Sequence, residues 1–415
     1  MKIFPSSEYS QIIRYSLYWL TASLAIGLLS GGASTLVYMC FDLATDLRNS
    51  HQWFIFLLPL VGLAMGYLFY KLGTPIEKGT HLLIDEIHQP RAFIPKRMSP
   101  LVFLSTIVTQ LFGGSAGREA PAVQLSGALS DHLAQIFRVH SDNRKIFLIA
   151  SIGSGFASIF GTPLAGAFFG LEITALGSLR YSAVFPCFLS AIVAAEVPKW
   201  VHIIHPHEYY KIANIPALGV NSVLSVMLAG ICFGLAARLF IFSIHAVSAV
   251  FKRYVRYMPF RPMLGGLLIM LLTLLVSNTD YNGLGVRTIV SSFYMQQPVY
   301  DFLYKTVFTA LTLGSGFKGG EITPLFFVGT TLGNALGLIL PVSFSLLAGL
   351  GLVGIFSGAS KAPLTSIVLA IELFGSSIAT YAIIACVFAY LFSGNCGLYR
   401  IQRPNYYHKD QSEQS

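Results

Sequence analysis

GSGFASIFGTPLAGAFFGLE at residues 153–172 and GLVGIFSGASKAPLTSIVLAIE at residues 351–372 are two copies of one pattern. In each, an apolar run spaced by glycine and serine reaches a proline, Pro163 or Pro363. A leucine follows, and nine positions after the proline stands Glu172 or Glu372. About forty residues upstream of each copy lies a second matched pair, Gly117-Arg-Glu-Ala-Pro121 and Gly320-Glu-Ile-Thr-Pro324, each behind a glycine- and serine-rich run. Self-similarity at this scale marks a duplicated architecture. The chain therefore reads as two homologous halves, residues 1–212 and 213–405, with a short polar tail at 406–415.

Composition says where these halves reside. Of 415 residues, 54% are hydrophobic and only 11% are charged, against about 25% charged in soluble domains. An ordinary soluble globule is excluded. The net charge of +9 sits in short connections between apolar runs rather than in one patch, which argues against a nucleic-acid partner. Five scattered cysteines form no CxxC pair and read as small buried side chains. The apolar run at 15–41 is longer than a signal-peptide core and is expected to stay as the first membrane helix. Further apolar stretches lie at 53–70, 99–112, 121–137, 146–160, 163–177, 182–204, 216–251, 263–277, 302–313, 324–341, 344–357, 363–375 and 378–393. Several fall short of the roughly 20 residues of a full span, and such broken helices survive at membrane depth only inside protein or around a cavity. The expected fold class is an all-α polytopic membrane protein with re-entrant helices.

Charge bias sets the relative orientation of the halves. The loop at 42–52 carries one Arg against two Asp, whereas its counterpart at 252–262 has four Lys/Arg and no acid. Positive-inside bias places these loops on opposite sides, which makes the repeat inverted, with a site expected between the halves at the midplane. The basic ends, Lys2 and Arg14, then Arg400, Arg403 and Lys409, put both termini in the cytoplasm of a cell with this chain in its inner membrane.

Four segments lead from glycine-rich sequence to a proline placed for the first turn of a helix: Pro121, Pro163, Pro324 and Pro363. Proline there loses no donor, and helix starts carry partial positive charge and free N–H groups. Several such ends meeting inside a membrane would hold a small anion. Two carboxylates, Glu119 and Glu321, stand in this frame, and an acid at membrane depth is a functional-site hypothesis by default. Glu119 at a helix start could occupy an anion site itself and leave it on protonation, serving as gate and proton carrier. The plain alternative is an acid at a helix N-terminus paired with Arg118.

These residues resemble the CLC anion channel and transporter family over almost the whole chain. The stretch ending GREAP at 113–121 is similar to the family's GREGP gate, GSGFKGGEITP at 314–324 to its GxFxP segment, and GLYRIQ at 397–402 to the closing helix that supplies a tyrosine. The resemblance implies a homodimer with one ion pathway per subunit, Glu119 as the external gating glutamate and Tyr399 as a hydroxyl donor near the central anion. It implies no cofactor and no resident metal. Gly79-Thr-His-Leu-Leu83 is closer to the GNNLI variant of the fluoride-exporting branch than to GSGIP, and it puts Thr80 at the anion-site serine position. Glu321 ahead of Ile322 is also similar to that branch. The inner proton glutamate of chloride/proton exchangers falls near Ile173, so that relay is missing, while Glu172 keeps a structural role. Ala120 replaces the gate glycine.

Fluoride is a small, hard, strongly hydrated acceptor, so a dry site must return strong hydrogen bonds, and a neutral carboxyl at Glu321 is such a donor. The expected function is fluoride export in exchange for protons. Glu119 and Glu321 transfer the protons, and Thr80, Gly117, Arg118, Ala120, Ile322, Thr323 and Tyr399 bind the anion. The alternative is a chloride/proton antiporter or chloride channel on the same fold. An enzyme would need a metal or nucleophile–base constellation, such as HExxH or GxSxG with its partners, and none is read here. Three secondary readings remain. Lys318 could concentrate anions or merely snorkel, and His81 could titrate or simply pack. His202, His205, His207 and Glu208 form a loop cluster in which a metal is the minor reading. Glu172 and Glu372, related by the repeat, are expected to brace helix ends.

Overall fold

The computed structural model describes residues 6–73, 76, 78–174, 180–395 and 397–399, and every regular element among them is helical. Helix α1 (Ser6–Ser50) runs for 45 residues, about 68 Å at 1.5 Å per residue, so it crosses tilted and projects from the bilayer. A 3-10 turn leads to α2 (Leu58–Leu72), whose proline sits in its first turn. The first half continues with α3 (Thr80–His88), α4 (Met98–Leu111), α5 (Glu119–Ile136), α6 (Ser141–Phe160), α7 (Pro163–Ile173) and α8 (Val184–Trp200). Residues 201–219 hold one 3-10 turn, Pro206–Tyr209, before α9 (Val220–Tyr254) opens the second half. There follow α10 (Phe260–Val276), α11 (Val286–Ser291), α12 (Asp301–Ser315), α13 (Ile322–Leu336), α14 (Phe344–Ser360), α15 (Pro363–Phe374) and α16 (Ala379–Phe392). Four described segments, Tyr9–Ser50, Gln52–Leu72, Tyr181–Trp200 and Val220–Tyr254, are long and apolar enough to cross a membrane.

The duplicated stretches become α6–α7 and α14–α15, and they form the centre of the molecule. Residues 146–159 of α6 and 345–360 of α14 are all buried, the pattern of core helices that present no solvent stripe. The two meet through Phe156 and Phe356, whose rings lie 5.8 Å apart. Glycine permits the closest approaches: a Cβ on Gly351 would stand 2.0 Å from the Gly329 carbonyl oxygen, so α13 and α14 pack backbone to backbone.

The four proline-marked helix starts do not converge on one point, which corrects the sequence expectation. The starts of α7 and α15 are occupied by each other's glutamate. Glu172, near the end of α7, accepts hydrogen bonds from the N–H groups of Leu364 (3.0 Å) and Thr365 (2.7 Å) and from the Thr365 hydroxyl (2.6 Å). Glu372 of α15 accepts from the N–H groups of Leu164 (2.9 Å) and Ala165 (2.7 Å). Carboxylates there satisfy free amides and complement the dipole, so these two ends have no vacancy for an anion. The bracing role expected of Glu172 and Glu372 is met, each across to the other half.

On the other side of the core, a charge network fastens α3, α5 and α6. Arg144 Nε donates to Asp131 Oδ1 at 2.6 Å, Nη1 to Glu86 at 3.2 Å and Nη2 to the Ala92 carbonyl at 2.8 Å. Ile94 N–H donates to Asp131 Oδ2 at 2.7 Å, and Arg91 N–H donates to Glu86 at 3.0 Å. All three charged side chains are buried. The network fixes the connection into α4 and holds α3, whose first residue is Thr80.

Candidate functional site

Two helix starts do meet, those of α5 and α13. Gly117 and Gly320, at matching places of the two repeat motifs, pair as an isolated antiparallel bridge, each N–H donating to the other's carbonyl at 2.8 Å. The bridge joins the halves just ahead of both helices. Gly117 therefore has its N–H engaged, which corrects its placement among the anion ligands.

Across this bridge Glu119 reaches from the first turn of α5 to the start of α13. Its Oε1 accepts from the N–H groups of Ile322 (2.5 Å) and Thr323 (3.2 Å), and its Oε2 from the Thr323 hydroxyl (2.8 Å). The carboxylate is fully buried and sits where free amides and the positive end of the α13 dipole would hold a small anion. Arg118 is not its partner. That guanidinium lies 3.6 Å from the centre of the Tyr38 ring and 3.3 Å from Asp42, turned away from the carboxylate. Arg118 thus borders the far side of the Glu119 carboxylate rather than the space in front of it.

In front of the Glu119 carboxylate is a cavity of about 230 Å³ whose walls include Thr80, His81, Glu119, Ala120, Gln124, Lys318, Glu321, Ile322 and Tyr399. A third helix start opens on it, that of α3. Its Thr80 Oγ1 accepts a hydrogen bond from Gln124 Nε2 at 3.1 Å, which leaves the Thr80 O–H free to donate. Glu321 is the residue just before α13 and lines the same space as Glu119, so two carboxyl groups share one chamber with the hydroxyl residues Thr80, Thr106 and Tyr399. Tyr399 is buried, with its ring edge-on to those of His81 (6.1 Å) and Phe169 (6.4 Å). Leu398 N–H, bonded to the Ala359 carbonyl at 2.8 Å, ties the tyrosine's segment to α14. Lys318 lies at the wall with its Nζ 4.7 Å from the Phe69 ring centre.

The structure thus gathers Thr80, Glu119, Ala120, Glu321, Ile322 and Tyr399 on one cavity, sets Thr323 against Glu119 behind it, and leaves Gly117 and Arg118 outside. Gln124 was missed from sequence. Its signal was a long amide one turn past Pro121, among the small and apolar residues 120–130 of α5. Ile173, at the end of α7, is a buried apolar residue and offers no carboxylate for an inner relay. The run Gly113-Gly114-Ser115-Ala116-Gly117 does spell GxSxG, but Ser115 Oγ bonds the Thr309 hydroxyl at 2.9 Å, and the histidine of a nucleophile–base pair does not touch it. In the loop cluster, His205 Nε2 lies 3.1 Å from the Ser158 carbonyl and Glu208 accepts from the His205 N–H at 3.4 Å, so these groups serve the local backbone. The tail at 406–415, the basic residues Lys2, Arg400, Arg403 and Lys409, and the end of GLYRIQ fall outside the described residues.

A profile of the voltage gated chloride channel family matches residues 61–394. A chloride/fluoride channel protein of Pseudomonas syringae pv. tomato is 46% identical over 97% of this chain and 90% of its own length. Among solved structures, a CLC-type fluoride/proton antiporter is 31% identical, superposes with a TM-score of 0.89, and covers 93% of this chain and 98% of its own. A slow cyanobacterial chloride/proton antiporter shares the fold, with a TM-score of 0.80 at 17% identity over 90% of this chain and 94% of its own.

Proposed function

The chain belongs to the voltage gated chloride channel family, and on that premise we propose that it moves fluoride out of the cell in exchange for protons. The observation that carries this reading is the pairing of Glu321 with Glu119 on one cavity. A protonated Glu321 donates to fluoride, and an ionised one repels it, so ion binding and protonation are linked at that residue. Thr80 and Tyr399 supply hydroxyl donors, and Ile322 and Thr323 supply amides once Glu119 leaves them. Exchange then runs as a swap: protonation weakens the hold of α13 on the Glu119 carboxyl, fluoride takes the amides, and the reverse step releases it. Glu119 and Glu321 carry the protons in this scheme.

Relatives described as a chloride/fluoride channel protein and a fluoride/proton antiporter support the reading. It extends to a homodimer with one pathway per subunit, to the two halves dividing near residue 212, and to an inner-membrane protein with cytoplasmic termini. Positive charge supports the last point, because Lys252, Arg253 and Arg256 crowd the end of α9.

The test is reconstitution in liposomes, with ion-selective electrodes following fluoride and chloride efflux and a pH electrode following protons. Fluoride efflux that drives protons uphill supports exchange. Chloride efflux at an equal rate would favour the chloride reading on the same fold, and fluoride flux without uphill protons would make the protein a channel. Glu321→Ile removes one strong hydrogen bond to the ion, worth about 1.5–3 kcal/mol when one partner is charged. The fluoride-to-chloride rate ratio is expected to fall roughly tenfold to a hundredfold, and an unchanged ratio would overturn the role of Glu321.

A further inference from the structure

Behind the gate, on the side away from the Glu321 cavity, lies a second space of about 30 Å³ whose polar wall groups are Arg118, His207, Tyr210 and Thr323. A cavity needs about 10–15 Å³ of such volume to hold one water, and an ordered water needs two to four polar partners. One wall of this space is the Thr323 side chain, whose hydroxyl lies 2.8 Å from Glu119 Oε2. His207, in the loop between α8 and α9, lines the same space and is only half-buried, so its ring is partly open at the surface. The fluoride and chloride readings alike leave this histidine without a task.

We infer that His207 delivers protons from the outer solution to the gate, through one water in this space and the Thr323 hydroxyl, to Glu119. In the transfer the imidazolium N–H gives its proton to the water. The water passes one of its own to Thr323 Oγ, and Thr323 gives its hydroxyl proton to the Glu119 carboxylate. One proton moves in total, no bond to carbon changes, and neutral His207 is recharged from solution. The inference rests on the exchange reading, in which a proton must reach Glu119 at every turnover.

The neighbours suit a relay. Burial pushes the His207 imidazole below its usual value, with Glu208 and the Phe160 carbonyl opposing that shift and Lys199 adding to it. His205 stands beside it, with ring centres 5.6 Å apart, and Arg118 lines the same space. Helices α11, α13 and α15 contribute Val286, Ile289, Phe326 and Leu373 to the walls, without a charge. A lowered value means that His207 gives up its proton readily near neutral pH. Its charged form becomes abundant only as the pH falls below about 6.5, the ordinary value for histidine.

The experiment is fluoride-driven proton uptake into proteoliposomes at matched pH on both sides, from about pH 5 to pH 8. For the natural protein, uptake is expected to rise as the pH falls, with its half-rise below about 6.5. His207→Gln is expected to lower uptake roughly tenfold to a hundredfold, to flatten the pH profile, and to regain uptake when free imidazole is added. His202→Gln, at an exposed loop position, serves as the comparison and keeps the natural profile. An unchanged rate and profile in His207→Gln overturns the inference, as does a lost rate that imidazole does not restore, because that marks a structural role. If the natural protein moves fluoride with no proton uptake, the exchange reading itself fails and the relay with it.

Discussion

Replacing Glu119 with glutamine is expected to abolish fluoride-driven proton uptake and leave a passive fluoride leak. The carboxylate now satisfies two backbone N–H groups and one hydroxyl at the start of α13. An amide of the same shape keeps an acceptor oxygen for the two N–H groups and turns its NH₂ to the Thr323 hydroxyl, so the bonds survive only as neutral ones. Reducing two charge-assisted bonds of about 1.5–3 kcal/mol to neutral ones of about 0.5–1.5 kcal/mol weakens the closed state by about 2–3 kcal/mol, or roughly thirtyfold to a hundredfold in the ratio of closed to open. No group at that position can then titrate. Electrodes for the two ions, read on the same liposomes, should show fluoride efflux that persists while proton movement falls to background. Proton uptake that survives the substitution would remove Glu119 from the mechanism.

Arg144→Met is expected to produce the largest loss of stability. The guanidinium satisfies Asp131, Glu86 and the Ala92 carbonyl at once. A methionine of similar length leaves two buried carboxylates facing each other without a cation. Breaking a buried pair from one side costs about 3–5 kcal/mol. The expected outcome is a clear drop in the melting temperature of the detergent-solubilised protein, followed through its tryptophan fluorescence. Because the same network holds α3, protein that does fold should also bind fluoride more weakly at Thr80. Removing all three charges together, as Arg144→Met with Asp131→Leu and Glu86→Leu, should recover part of the loss, since no unpaired charge remains. A single substitution without effect on melting would show that the network carries no stability.

Much of this was legible in the sequence, for a physical reason. Glycine and proline requirements are local: a proline in a first turn and a glycine at a close approach announce themselves wherever they fall, so the paired motifs and most helices could be read directly. Helices α3 and α11 could not, because at nine and six residues they are too short for a hydrophobic run. The expectation that four helix starts would serve the anion failed because the choice of partner is long-range. Glu172 and Thr365 are 193 residues apart, and nothing local indicates that one caps the other. The same limit hid Arg144, whose partners come from three separate segments, and it left the direction of the Arg118 side chain open until Tyr38 and Asp42 could be placed beside it.

The clasp of Glu172 and Glu372, together with the Gly117–Gly320 bridge, decides what kind of machine this can be. Parting the halves would strip partners from the amides of both glycines and of Leu164, Ala165, Leu364 and Thr365, in a medium where each orphaned group costs several kcal/mol. A transporter that rocks its halves apart cannot be stitched this way. In the exchange proposed above, the barrier that faces an ion is one side chain wide, so the protein resembles a turnstile more than a pair of doors.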